Sequence, residues 1–167
     1  MILFLDYDGV VNNVIRGYDN ELNKLCANYS HPHLGKVNDY QAVQWISELC
    51  EKYNIDIVVT STWRLCDNYK MCLVAGGLRK GIKILGRVTR NNNLTRAEQI
   101  NQYLMTHPEI GDQFIIIDDD DIDMSPFGYN NDEHFVKCTT NGGFQLEEFD
   151  EAERKVKRLK KEMKVNE

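Results

Sequence analysis

Three short apolar runs constrain the chain more than any other feature: "ILFLD" at 2–6, "IDIVVT" at 55–60 and "FIIID" at 114–118. Each is rich in strand formers and none alternates with polar residues. Strands of this kind are buried on both faces, as in a parallel sheet covered by helices. Helical periodicity lies between them. Tyr40, Val43, Ile46, Leu49, Cys50 and Tyr53 repeat at helical spacing after Asn38 and Gln41, which are placed like a capping box. Thr95 and Glu98 form a second such box ahead of Ile100, Tyr103 and Leu104, with His107-Pro108 as the stop. "HFVKC" at 134–138 reads as a further strand and "IKIL" at 82–85 as a weaker one. From Leu146, the residues Phe149, Ala152, Val156, Leu159 and Met163 predict a closing amphipathic helix. Such alternation means an α/β fold with a mainly parallel sheet, whose ligands sit beyond the carboxyl ends of the strands.

A length of 167 residues suits one domain, taken as 1–167. Hydrophobic residues at 42% and charged residues at 28% are ordinary globular usage, which excludes a disordered or membrane chain. No apolar stretch approaches the roughly 18 residues of a spanning helix. The N-terminus lacks the pattern of a signal peptide, so a cytoplasmic protein is expected. Cys26, Cys50, Cys66, Cys72 and Cys138 show no metal-site spacing and read as reduced thiols. A net charge of -6 argues against a broad nucleic-acid-binding face. The charge is unevenly spread, however: no acid occurs between Asp67 and Glu98, an interval carrying Lys70, Arg79, Lys80, Lys83, Arg87, Arg90 and Arg96. Segregation of this sort can focus a field on an anionic ligand.

The first apolar run ends "FLDYDGVVN". Residues two apart on a strand point the same way, so Asp6 and Asp8 both address the crevice above the sheet, and Gly9 permits a sharp turn. Two carboxylates so close are stable chiefly when a cation lies between them or one holds a proton. A hard ion such as Mg²⁺ takes carboxylates, phosphate oxygens and water, and a carboxylate can attack phosphorus. The second run ends "VVTSTWR", which puts hydroxyls at Thr60, Ser61 and Thr62 beside Trp63 and Arg64. The third ends "IIIDDDDID", which puts Asp118 and Asp119 at the same sheet edge.

This ordered set resembles the four motifs of the haloacid dehalogenase (HAD) superfamily of phosphohydrolases, over roughly residues 2 to 125. The resemblance implies a HAD-like Rossmannoid fold with helices on both faces and little or no cap. It implies Asp6 as nucleophile, Asp8 as general acid and base, and a Mg²⁺ site of Asp6, the Asp8 backbone carbonyl, Asp118 and Asp119, with Asp123 fitting a looser variant. The phosphate-binding hydroxyl is Ser61 or Thr60; Ser61 is favoured because members that process nucleic-acid ends carry Ser after a similar strand and Arg shortly beyond. No Lys stands where the third motif supplies one. Arg96 is the expected replacement, since a guanidinium grips two phosphate oxygens, with Arg87 and Arg90 as rivals.

Trp63 and Arg64 suggest a surface that stacks a base and holds a phosphate, with Arg87 as a further substrate contact. The S-x-W-R pattern is similar to small phosphatase domains of RNA-repair proteins, relatives of the 3′-phosphatase half of phage polynucleotide kinase. Residues 12–38 and 65–94 are the intervals where a cap could be inserted, and both are short for one. His31 and His33 in the first read as exposed loop residues. An uncapped site favours a bulky substrate, so the expected partner is a polynucleotide end with a terminal phosphate, 3′ or 5′. A phosphatase of free nucleotides or small phosphoesters is the alternative. A receiver-like phosphate-sensing module is the rival of another class, though its phosphoacceptor would follow the third strand rather than the first.

Overall fold

The computed structural model describes residues 1–12, 39–65, 69–89, 91, 93–131 and 133–166. His31, His33, Cys26, Cys66, Arg90 and all but Asn12 of the 12–38 interval lie outside them. The three apolar runs form β1 (Ile2–Leu5), β2 (Asp56–Val59) and β4 (Phe114–Asp118). β3 (Ile84–Arg87) and β5 (Phe135–Lys137) join them in one sheet of order β3-β2-β1-β4-β5, with every pairing parallel. β3 starts two residues later than "IKIL" suggests. Its inward and outward residues alternate in burial because it is an edge strand.

Alternate residues of each central strand point into separate cores, as the pleat dictates. Leu3, Leu5, Ile57, Val59, Ile115 and Ile117 face α1 (Tyr40–Tyr53), α2 (Tyr69–Ala75) and α4 (Leu146–Asn166). Phe4, Val58, Phe114 and Ile116 face α3 (Arg96–Thr106), whose Ala97 and Ile100 are fully buried there. Both faces are thus covered, which is why these strands read as unbroken apolar runs. Among the described residues no helix is long and apolar enough to cross a membrane.

Helix ends follow the capping rules with one shift. Asp39, not Asn38, caps α1: its carboxylate accepts from the backbone N–H groups of Gln41 at 2.9 Å and Ala42 at 3.4 Å. The same side chain accepts from Gln145 Nε2 at 2.9 Å, tying α1 to the turn before α4. Thr95 and Glu98 form the complete capping box expected for α3. The seven-residue α2 escapes a periodicity reading because so short a helix offers too few repeats, and its described neighbours use the 65–94 interval for sheet and helix layers rather than for a cap. Cys50, Cys72 and Cys138 are buried thiols.

Asp39→Ala should destabilise the protein by about 1–2 kcal/mol, the usual loss for an N-cap, with the excess over a peptide cap reporting the Gln145 link. Denaturant midpoints measure it, and a midpoint equal to wild type would show that water replaces both contacts.

Candidate active site

The order β2-β1-β4 at the centre of the sheet sets the carboxyl ends of β1 and β4 side by side. Leu5 pairs with Ile117, so Asp6 and Asp118 follow in register, and the Asp6 N–H donates to the Ile117 carbonyl at 3.1 Å. Asp6, Asp118 and Asp119 each bring a carboxylate oxygen within 4.8 Å of the others. Asp118 is fully buried and Asp6 nearly so.

Gly9 makes this approach possible. It adopts φ +75°, and a Cβ built on it would lie 2.1 Å from Asp119 Oδ2, so any side chain would displace the carboxylate. The turn itself is held by the Tyr7 carbonyl, which accepts from the N–H groups of Val10, Val11 and Asn12 at 3.2, 3.0 and 2.9 Å.

Arg96, the first residue of α3, reaches into the acid cluster. Its Nη1 lies 2.5 Å from Asp118 Oδ2 and 3.4 Å from Asp6 Oδ1. Asp123 is not among the three clustered acids; its carboxylate accepts from the Arg96 backbone N–H at 2.9 Å and helps hold the helix start. Burial, with Asp118 nearby, pushes the Asp6 carboxyl up to about 8, while Arg96 partly opposes the shift. Burial likewise raises Asp118, to about 6. For Arg96, burial works against the charge, but Asp6 and Asp118 outweigh it and hold the guanidinium above its ordinary pKa.

Asp8 sits at the same cleft with its carboxylate held from two sides. Oδ1 accepts from Asn12 Nδ2 at 2.8 Å and Oδ2 from Trp63 Nε1 at 2.9 Å. The cleft has a volume of about 470 Å³, and its walls include Asp6, Asp8, Thr62, Arg96 and Thr140, with Asp120, Asp121 and Ile122 as well.

The hydroxyl series after β2 divides by depth. Thr60 follows Val59 in register beside Asp6, and its N–H donates to the Leu5 carbonyl at 2.9 Å. Its side-chain oxygen is buried with no hydrogen-bond partner. Ser61 is also fully buried, and its Oγ accepts from the Trp63 N–H at 3.3 Å. Thr62 is the one of the three that lines the cleft.

Trp63 and Arg64 do not form the exposed stacking surface expected of them. Trp63 is 8% exposed, with its ring edge-on to Tyr7. Arg64 is 6% exposed, and its guanidinium donates to the Thr60 carbonyl and, at 2.6 Å, to Gln99 Oε1. Arg87 donates to the Arg64 carbonyl and lies 5.1 Å from the Tyr69 ring centroid, so it braces the loop behind the site. Two further cations of the basic interval make contacts within the fold. Arg79 pairs with Glu48 and Glu51 at 2.9 and 2.8 Å, and Lys70 donates to the Ile84 carbonyl.

Several residues at the site were given no role by the sequence, Asp120 and Asp121 of the acidic run among them. Gln99 was signalled by an amide three residues after Arg96 on the buried side of α3, where it also donates to the Leu94 carbonyl at 2.9 Å. Asn12 sits four residues beyond Asp8, a spacing that only the tight turn makes meaningful. Ile122 and Thr140 had no sequence signal; the loops after β4 and β5 bring them in.

The sequence matches a known family. The family model for the HAD domain in Swiss Army Knife RNA repair proteins covers residues 2–149. The chain belongs to this family. No curated protein and no solved structure matches it. Membership makes the parallel sheet a HAD fold, and it points to a hydrolase of the phosphatase kind and to use of a divalent metal. The three clustered carboxylates of this HAD domain fit such an ion: they are hard oxygen donors whose mutual repulsion a cation relieves.

Gly9→Ala should therefore weaken divalent-cation binding by at least about tenfold, the scale on which disturbed metal surroundings act. Calorimetric titration with Mg²⁺ measures this, and unchanged affinity would mean that Asp119 is not a ligand. The raised Asp6 and Asp118 carboxyls give a second expectation. Each binds its proton more tightly folded than unfolded, so the metal-free protein should lose stability as pH rises from near 4 through about 8. Melting temperatures in EDTA across that range should fall more steeply for wild type than for Asp6→Asn, and parallel curves would remove Asp6 as the cause.

Proposed function

We propose that this HAD domain is a Mg²⁺-dependent phosphomonoesterase that works through an aspartyl phosphate on Asp6 and acts on the 3′ or 5′ terminal phosphate of a nucleic acid. The observation that carries the reading is the meeting of Asp6, Asp118 and Asp119 at one sheet edge, with Arg96 among them and Asp8 at the same cleft. Asp6, Asp118, Asp119 and the Asp8 backbone carbonyl would hold Mg²⁺, which when bound supplies positive charge for the phosphate oxygens.

The protein's own groups do the rest. An Asp6 carboxylate oxygen attacks phosphorus as the bond to the departing alcohol breaks, and Asp8 gives its proton to that alcohol's oxygen. Asp8 then takes a proton from a water whose oxygen attacks the same phosphorus. The bond to Asp6 breaks, and inorganic phosphate leaves. Arg96 offers a planar pair of donors to the phosphate oxygens, in the role a Lys has in the third motif. The buried, unpartnered Thr60 hydroxyl supports a phosphate-binding part for the β2 end, where Ser61 is the other candidate.

The nucleic-acid substrate draws support from the family's occurrence in RNA repair proteins. A cytoplasmic setting accords with thiols at Cys50 and Cys138 that are not in disulfides. A second reading, a phosphatase of free nucleotides or small phosphoesters, is favoured by the cleft wall: Asp120 and Asp121 line it, while Arg64 is buried and held by Gln99 and Arg87 is not among the lining residues.

Phosphate release with Mg²⁺ from 3′- and 5′-phosphorylated oligonucleotides, mononucleotides, sugar phosphates and phosphopeptides tests both. Oligonucleotide ends should be processed best, with the advantage shrinking as salt rises. EDTA should silence the reaction, Ca²⁺ should not restore it, and Asp6→Asn should abolish it. Preference for free nucleotides would establish the second reading, and full activity in folded Asp6→Asn would overturn the mechanism.

A further inference from the structure

Two side chains with no part in metal binding converge on Asp8, one on each oxygen: Asn12 Nδ2 at 2.8 Å from Oδ1 and Trp63 Nε1 at 2.9 Å from Oδ2. A carboxyl gripped on both oxygens cannot turn about its Cβ–Cγ bond without breaking both contacts. Each donor is itself held. Asn12 is 7% exposed, and its backbone N–H donates to the Tyr7 carbonyl while its carbonyl accepts from the Gly9 N–H at 3.0 Å. The Trp63 indole packs edge-on against Tyr7 with ring centroids 6.2 Å apart, and the Trp63 backbone N–H donates to Ser61 Oγ at 3.3 Å. The next residue is anchored through Arg64 to the Thr60 carbonyl and Gln99. An indole whose polar edge points at a cleft carboxylate has a role beyond filling the core.

We infer that Trp63 and Asn12 are positioning residues that lock the Asp8 carboxyl in the orientation from which it passes a proton to the leaving oxygen. The inference rests on the proposed phosphatase reading and deepens it. It gives Trp63, which the stacking expectation placed against a substrate base, a different task. A locked proton donor matters in proportion to how badly the leaving group needs a proton. A nitrophenolate departs unaided, whereas an alkoxide, such as a sugar hydroxyl of a nucleic-acid end, does not.

The test is single-turnover release of the leaving group, with Mg²⁺ saturating, from phosphate monoesters graded from 4-nitrophenyl phosphate to 2-phosphoglycerol. Trp63→Phe keeps an aromatic ring against Tyr7 and removes the N–H. It should slow alkyl phosphate cleavage by about tenfold to a hundredfold, the scale of a misplaced catalytic group, and leave nitrophenolate release within about twofold. Asn12→Ala should show the same split and carries the test if Trp63→Phe does not fold. Trp45→Phe is the matched control: Trp45, on α1, packs tilted against Phe149 with ring centroids 5.0 Å apart and is not among the residues lining the cleft. It should slow neither ester. Equal slowing of both esters, or of neither, in the Trp63 and Asn12 variants would overturn the positioning role while leaving the phosphatase reading intact. Absence of hydrolysis by the wild-type protein on every ester would overturn both.

Discussion

Three carboxyl groups meet where the sheet leaves little room for water, and each makes the charge of the others harder to hold. The rest of the site is organised around offsetting that cost. Arg96 stands between Asp6 and Asp118, and its position is set by three separate devices at the start of α3: the Thr95–Glu98 capping box, the Asp123 carboxylate on its backbone N–H, and the burial of Ala97 beneath it. One cation against three acids leaves the cluster short of positive charge. That deficit is what a divalent ion, or a retained proton, corrects.

The same helix also governs the other side of the cleft. Gln99, one turn after Arg96, accepts from Arg64, whose guanidinium also grips the Thr60 carbonyl at the end of β2. The hydroxyl loop, the indole that holds Asp8 and the cation among the acids are therefore connected through buried polar contacts. Such contacts tolerate little displacement, because each group left without its partner pays a desolvation penalty of roughly 1–3 kcal/mol. Asp8, Asp6 and Arg96 consequently keep a common frame, which is what the proposed chemistry at one phosphorus atom requires.

Much of this was legible beforehand because it depends on short-range rules. The two-residue alternation of a strand puts Asp6 and Asp8 on one side, unbroken apolar runs require a covered parallel sheet, and Thr-x-x-Glu marks the start of α3. Departures arise where local signals tie. Asn38 and Asp39 are both good caps, and the α1 register together with Gln145 selects Asp39. Arg87 and Arg96 both lie in a basic interval; only α3 aims its guanidinium at the acids, while Arg87 turns to a carbonyl and a tyrosine ring.

The sequence by itself determined the sheet, its longer covering helices and the sheet edge at which the acids gather, since periodicity and strand register follow from residues within a few positions of one another. Tertiary structure alone decided which way the polar side chains around that edge turn. Trp63 finds Asp8 across 55 residues and Arg64 finds Gln99 across 35. An indole and a guanidinium suit a nucleic-acid surface and a buried hydrogen-bond frame equally well, and the choice between them belongs to the distant partner that satisfies their N–H groups.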